Sequence, residues 1–147
     1  KGVRRRFSFQ IREENRVFID DYAHHPTEIN AVHQAVRELY PGKKIIAAFQ
    51  PHLFSRTKDF ADGFAASLSQ FDEILLLDIY PARELPIDGI TSTWLLTKIA
   101  HPNKKLVNKK ELIAAFKNSD ATVFITIGAG DIGEMVKDIK KALYEKD

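Results

Sequence analysis

The chain has 147 residues, enough to bury a sizeable core within one domain. It has no cysteine, which excludes disulfides and thiolate metal sites and favours a cytoplasmic protein. Its net charge of +2 is feeble for a nucleic-acid binder. No apolar run approaches the roughly 20 residues of a membrane span, and no signal peptide is visible. The start at Lys1-Gly2, without Met, is the start expected of a fragment of something longer.

Arg4-Arg5-Arg6-Phe7-Ser8-Phe9-Gln10-Ile11 alternates imperfectly and predicts a strand. Glu13-Glu14-Asn15 is a polar turn, and residues 16–22 return to complete a hairpin. Pro26 suits the first position of a helix whose apolar stripe is Ile29, Val32, Val36 and Leu39. Tyr40-Pro41-Gly42 stops it. Residues 44–49 are a continuous apolar run, as in a strand buried on both faces. A helix is predicted over about 55–70, with Ser55 as its N-cap and Phe60, Ala61, Phe64, Ala65 and Leu68 on one face.

Residues 73–78 read as a second buried strand, and 80–90 as a loop that is a candidate functional insert. Then come a short helix capped by Thr91 or Ser92, a strand over 105–107 and a helix over 109–117 capped by Asn108. The last strand covers 122–127. Gly128-Ala129-Gly130-Asp131 turns into a closing helix that buries Ile132, Met135, Val136, Ile139 and Leu143. Strand and helix alternate from Arg16 onward. The expected fold class is therefore α/β, a Rossmann-like three-layer domain with a mainly parallel sheet, helices on both faces and an N-terminal hairpin.

The strongest chemical signal is the corner Asp20-Asp21-Tyr22-Ala23-His24-His25. Two carboxylates, a phenol and two imidazoles crowd a strand-to-helix junction, at the sheet edge where open α/β folds bind ligands. Neighbouring strand residues point to opposite faces, which argues against a simple metal chelate by the paired acids or paired histidines. Gln50-Pro51-His52-Leu53-Phe54-Ser55-Arg56-Thr57 also follows a strand and opens a helix, so it shares that edge. Arg56 in the first helical turn opposes the helix dipole, which suits an Arg kept for an anionic ligand. One Arg of the run at 4–6 could likewise meet a phosphate two oxygens at a time.

Gly128-Ala129-Gly130-Asp131-Ile132-Gly133 matches G-x-G-x-x-G. It follows the last strand, however, and Asp131 would repel a pyrophosphate. It reads as a tight turn bringing backbone close to a ligand or a neighbouring loop, although a free-standing nucleotide-binding module remains the alternative. There is no phosphate loop of the G-x-x-x-x-G-K-[ST] kind and no nucleophile elbow.

Residues 20–29, Asp-Asp-Tyr-Ala-His-His-Pro-Thr-Glu-Ile, resemble the signature of the Mur ligase family, in its branch that adds L-alanine to UDP-N-acetylmuramate in peptidoglycan precursor synthesis. Arg5-Arg6-Phe7, Phe49-Gln50-Pro51-His52, Ser55-Arg56-Thr57, Tyr80-Pro81-Ala82-Arg83-Glu84 and Gly128-Ala129-Gly130-Asp131-Ile132 are similar to further blocks, in the same order. The likeness makes 1–147 a single C-terminal, amino-acid-binding lid domain. The N-terminal UDP-sugar domain and the central ATPase domain have no counterpart here.

What the resemblance implies is a bacterial cytoplasmic ligase that uses ATP and Mg²⁺ to make an acyl phosphate, which L-alanine then attacks. By that resemblance Arg6 reaches the nucleotide phosphates and Asp21 the ATP ribose. Tyr22, His24 and Arg56 surround the alanine, with His24 a possible catalytic group. His25, His52, Gly128 and Gly130 sit at the rim. No metal ligand is expected in this domain, nor a nucleic-acid or membrane partner, and the domain alone should be inactive. Some members carry a second Arg where this chain has Leu53. A ligase that recycles a murein tripeptide and folylpolyglutamate synthase share the pattern, but Tyr22 and Thr27-Glu28 are closer to the alanine-adding branch.

Overall fold

Six strands form one sheet in the order β1-β2-β6-β3-β4-β5. They are β1 (Ser8–Arg12), β2 (Val17–Asp21), β3 (Ile45–Phe49), β4 (Glu73–Leu76), β5 (Lys104–Leu106) and β6 (Val123–Ile127). The computed structural model describes residues 6–146. β1 and β2 pair antiparallel, with a bulge between Phe9 and Ile11, and every other pairing is parallel. The predicted hairpin and mainly parallel sheet are both present.

Because side chains alternate across a strand, each strand feeds two cores. Val17, Ile19, Ile45, Ala47, Phe49, Ile74, Leu76, Val123, Ile125 and Ile127 face one side. Phe18, Ile46, Ala48, Leu75 and Phe124 face the other. The first side is covered by α1 (Pro26–Leu39), α3 (Ala61–Leu68) and α4 (Ser92–Lys98), through Ile29, Val32, Val36, Phe64, Leu68 and Leu95. The second is covered by α5 (Lys109–Asn118), a 3₁₀ turn at Asp131–Met135 and α6 (Val136–Tyr144), through Leu112, Phe116, Ile132, Ile139 and Leu143. These are the three expected layers. All five residues of β2, β3 and β6 are buried, which is why those runs lack polar alternation.

Several boundaries differ from the sequence reading. The helix expected over 55–70 is two helices, α2 (Phe54–Asp59) and α3. Phe60 leaves the helical region at φ −119° and ψ 24°; its N–H closes α2 on Arg56 and its carbonyl opens α3 for Phe64. The apolar stripe that suggested one helix starts at Phe60 and belongs to α3 alone. Ser55 is not the N-cap. Leu53 holds that position, with φ 74° and no capping side chain, and the Ser55 hydroxyl donates to Glu84 instead.

β1 begins at Ser8 rather than at the arginines, because Phe7 takes φ 48° with its N–H bonded to Asp21. Arg4 and Arg5 lie outside the described residues. β4 stops at Leu76, and β5 lies one residue earlier than expected. The glycine turn enters the closing helix through the 3₁₀ segment.

Thr91 caps α4 by accepting the Trp94 N–H. Asn108 and Glu111 form a reciprocal capping box on α5: Asn108 Oδ1 takes the Glu111 N–H and Glu111 Oε1 takes the Asn108 N–H, each at 2.8 Å. Asn108→Ala is expected to lower unfolding stability by about 1 kcal/mol. Urea unfolding with an unchanged m-value would show it; an unchanged midpoint would mean that the cap contributes nothing.

Candidate functional site

The loops after β2, β3, β4 and β6 leave one edge of the sheet. β6 lies between β2 and β3, so the terminal glycine loop emerges between the two corners flagged in the sequence. The alternation of β2 separates the paired acids. Asp20 Oδ1 accepts the Thr126 hydroxyl at 2.6 Å. Asp21 accepts the N–H of Phe7 at 2.6 Å and of Ala23 at 2.8 Å.

Burial pushes the Asp21 carboxyl above the usual aspartate range, against the pull of those two N–H groups and the Arg6 charge. Each of its oxygens keeps a second lone pair. Arg6, Phe7, Asp21 and Tyr22, with Val32 and Ala35 of α1, line a cavity of about 380 Å³.

Beside that cavity stands a file of rings. Tyr22 meets His24 edge-on at 5.4 Å, His24 lies 6.3 Å from His52, and His52 stacks on Tyr80 at 5.7 Å with 16° between planes. Each imidazole has its tautomer set by a neighbour that can act in one sense only. His24 Nδ1 lies 3.1 Å from the Tyr22 carbonyl, which only accepts, so Nδ1 carries a proton and, in the neutral tautomer, the lone pair falls to Nε2. Glu28 accepts the His24 backbone N–H at 2.9 Å. Arg56 Nη1 lies 3.0 Å from His52 Nδ1; a guanidinium only donates, so neutral His52 carries its proton on Nε2. Burial holds the His52 imidazole below the usual histidine range, helped by the Arg56 and His24 charges and opposed by Glu84.

Arg56 reaches this place because the chain bends sharply before α2. Leu53 N–H bonds to the Tyr80 carbonyl and Tyr80 N–H to the Pro51 carbonyl, both at 2.8 Å. Arg56 Nη1 also donates to the His52 carbonyl at 3.3 Å.

The glycine loop is packed against the chain's own residues. A Cβ on Gly130 would lie 2.5 Å from Gln50 Oε1 and 2.6 Å from Tyr80 Cγ. One on Gly128, at φ 151°, would lie 3.0 Å from the Gln50 carbonyl. The glycines therefore serve close approach of a neighbouring loop. Gln50 closes the arrangement: its Nε2 donates to Asp131 at 2.7 Å and its Oε1 accepts the Ile132 N–H at 3.0 Å. Lys109 Nζ pairs with the other Asp131 oxygen at 2.8 Å. Burial raises the Asp131 carboxyl, but the Gln50 and Lys109 bonds outweigh it and hold it below the aspartate range.

Tyr22, His24, His52, Arg56 and the glycine loop thus meet, and Arg6 and Asp21 form the adjoining cavity. His25 takes another course. Its ring lies 4.5 Å from Phe60, at the α2–α3 junction, and the Thr27 hydroxyl is 3.4 Å from its Nδ1. Gln50 and Glu84 drew no role from the sequence, although both lie within the family-like blocks. Their partners are 81 and 29 residues away, a pairing no local pattern announces. Lys109 carried no signal at all. Among the described residues, no group of three or more His, Cys, Asp or Glu side chains could hold a metal ion. No helix there is long and apolar enough to cross a membrane.

The family model "Mur ligase, glutamate ligase domain" matches residues 5–130. The chain belongs to the Mur ligase family. A UDP-N-acetylmuramate–L-alanine ligase of Flavobacterium psychrophilum is 77% identical over 146 residues, which span 99% of this chain and 33% of that protein. The UDP-N-acetylmuramate-alanine ligase MurC of Thermotoga maritima superposes with a TM-score of 0.76 at 28% identity, over 97% of this chain and 30% of that one. A murein peptide ligase of Psychrobacter arcticus shares the fold, with a TM-score of 0.71 at 18% identity over 95% of this chain and 30% of that one. This Mur ligase domain therefore spans about a third of the length of the curated relatives it matches.

Two outcomes are expected. Gly130→Ala should displace Tyr80 from His52 and cost about 1–3 kcal/mol by overpacking, read by thermal unfolding; full stability would mean that the loop yields. In an NMR titration His52 should protonate below the ordinary histidine value of 6.5, and Arg56→Ala should move its midpoint upward. Because its folded value is depressed, protonating His52 penalises the folded state. Its contribution is intact above the histidine range and weakens as pH falls through it.

Proposed function

We propose that this domain is the amino-acid-binding lid of a bacterial cytoplasmic ligase that joins L-alanine to UDP-N-acetylmuramate at the expense of ATP. The observation that carries the reading is the meeting of Arg56, His52 and His24 at the sheet edge, next to the Arg6–Asp21 cavity. A guanidinium beside an imidazole N–H suits a carboxylate, and a second imidazole whose neutral form keeps an acceptor nitrogen suits an ammonium.

On this reading the sugar carboxylate attacks the γ-phosphate of ATP and gives an acyl phosphate. Alanine is held by Arg56 through its carboxylate, with Tyr22 beside it. As the alanine nitrogen attacks the acyl carbon, the C–N bond forms and the C–O bond to phosphate breaks. His24 Nε2 takes one proton from the alanine ammonium to free the attacking amine, and the leaving phosphate carries off the second proton that nitrogen loses on becoming an amide. Arg6 faces the nucleotide phosphates and Asp21 the ribose through its remaining lone pairs. Closing the lid excludes water from an acyl phosphate that would otherwise hydrolyse.

Mg²⁺ would accompany the ATP; among the described residues no group of three or more His, Cys, Asp or Glu side chains could hold a metal ion. The chain alone is expected not to turn over. The 77% identity to an alanine-adding relative favours that substrate over the murein tripeptide.

Steady-state kinetics of the intact ligase test the assignment. Arg56→Ala should raise the KM for L-alanine about tenfold to a hundredfold, the worth of a charge-assisted hydrogen bond, with the KM for ATP nearly unchanged. Arg6→Ala should do the reverse. Alanine kinetics indifferent to Arg56 would remove the carboxylate site.

A further inference from the structure

α2 starts badly by its own local chemistry. Its six residues are too few for stability in isolation, and Leu53 offers no side chain to its first turn. The missing cap comes from another loop. Glu84 Oε1 accepts the Ser55 backbone N–H at 3.1 Å, and Glu84 Oε2 accepts the Ser55 hydroxyl. These bonds, those of Ser55 foremost, hold the Glu84 carboxyl below the usual glutamate range, with the Phe54 N–H and the Arg56 charge contributing. Arg56 is the next residue after Ser55.

The same loop contributes Tyr80, whose ring stacks on His52 and whose carbonyl takes the Leu53 N–H. Glu84 N–H bonds in turn to the Pro81 carbonyl at 2.9 Å, which ties the carboxylate to the loop's own turn. From below, the Thr57 hydroxyl, fully buried, donates to the Leu53 carbonyl at 2.8 Å. The turn that presents Arg56 is therefore gripped from both sides, and the outer grip on Ser55 is a single side chain 29 residues on in sequence.

We propose that Glu84 is a positioning residue for amino-acid binding: by capping α2 through Ser55 it holds the Arg56 guanidinium against His52 in the orientation that receives the substrate carboxylate. This rests on the function proposed above for Arg56. A carboxylate receptor works only when its donors are held within about half an ångström of the productive geometry. A cap that touches no substrate thus sets how tightly substrate is bound. The grip depends on two acceptor or donor atoms in a planar fork rather than on net charge. A Gln in its place can still accept the Ser55 N–H and can donate to the Ser55 hydroxyl oxygen.

The test uses the intact ligase carrying Glu84→Ala, Glu84→Gln or Arg56→Ala, with amide hydrogen exchange read at Ser55. Glu84→Ala should raise the KM for L-alanine about tenfold while kcat and the KM for ATP change less than about twofold. Glu84→Gln should recover most of that loss. The Ser55 amide should exchange about tenfold faster in the Ala variant than in the Gln variant.

An alanine KM that does not move in Glu84→Ala while Arg56→Ala raises it would overturn the proposal and leave the Arg56 site standing. Equal rises in the KM for alanine and for ATP would overturn it too, since they mark a general loss of structure. If Arg56→Ala itself leaves alanine binding intact, the functional reading of Arg56 fails. Unchanged Ser55 exchange in Glu84→Ala would separately remove the cap.

Discussion

The insertion of the last strand between β2 and β3 is the constraint on which the rest depends. The chain makes β2 and β3 early and leaves a gap one strand wide between them, which only β6 fills. β6 is buried on both faces and bonded on both edges, so the sheet cannot close without it. The same insertion brings the glycine loop out between the histidine corner and the arginine turn. The contacts that complete the core also bring the candidate site together, and a site so placed inherits the rigidity of the sheet.

The acids at this edge are occupied by backbone N–H groups and by neighbouring side chains. Asp21 holds Phe7 and Ala23, Glu28 holds His24, and Glu84 holds Ser55. Asp131 is bonded to a glutamine and a lysine. Loops that carry chemistry have few backbone partners of their own, and an unpaired buried N–H is costly. Carboxylates from the adjoining strand and helix, and Glu84 from a neighbouring loop, satisfy them and at the same time fix where the cationic and imidazole groups stand. The edge is thereby rich in acids yet presents Arg6, Arg56 and an imidazole N–H, a combination suited to anionic ligands.

The two imidazoles show how little is needed to give like residues unlike roles. Both are partly buried and their rings lie 6.3 Å apart. One is bonded through Nδ1 to a carbonyl and the other through Nδ1 to a guanidinium. As neutral rings, the first keeps an acceptor nitrogen and the second a donor. Two histidines that look interchangeable in sequence thus present opposite hydrogen-bonding faces.

What the sequence determined by itself is what short-range periodicity and composition carry. The alternation of buried runs with amphipathic stripes set the α/β class, the hairpin and the three layers, Asn108 announced its cap, and the α4 cap was narrowed to Thr91 or Ser92. Tyr22, His24, His52 and Arg56 were legible as candidate site residues because each lies in a segment that follows a buried strand, where such folds bind ligands. Tertiary structure decided what depends on contacts far apart in the chain. It broke the helix at Phe60, moved Ser55 from capping to being held by Glu84, and joined Gln50, Asp131 and Lys109. It also turned His25 to Phe60 and filled the glycine loop with Tyr80 and Gln50. A hydrogen bond between residues 29 or 81 positions apart leaves no trace in local pattern, because its geometry exists only once the sheet has brought its strand ends together.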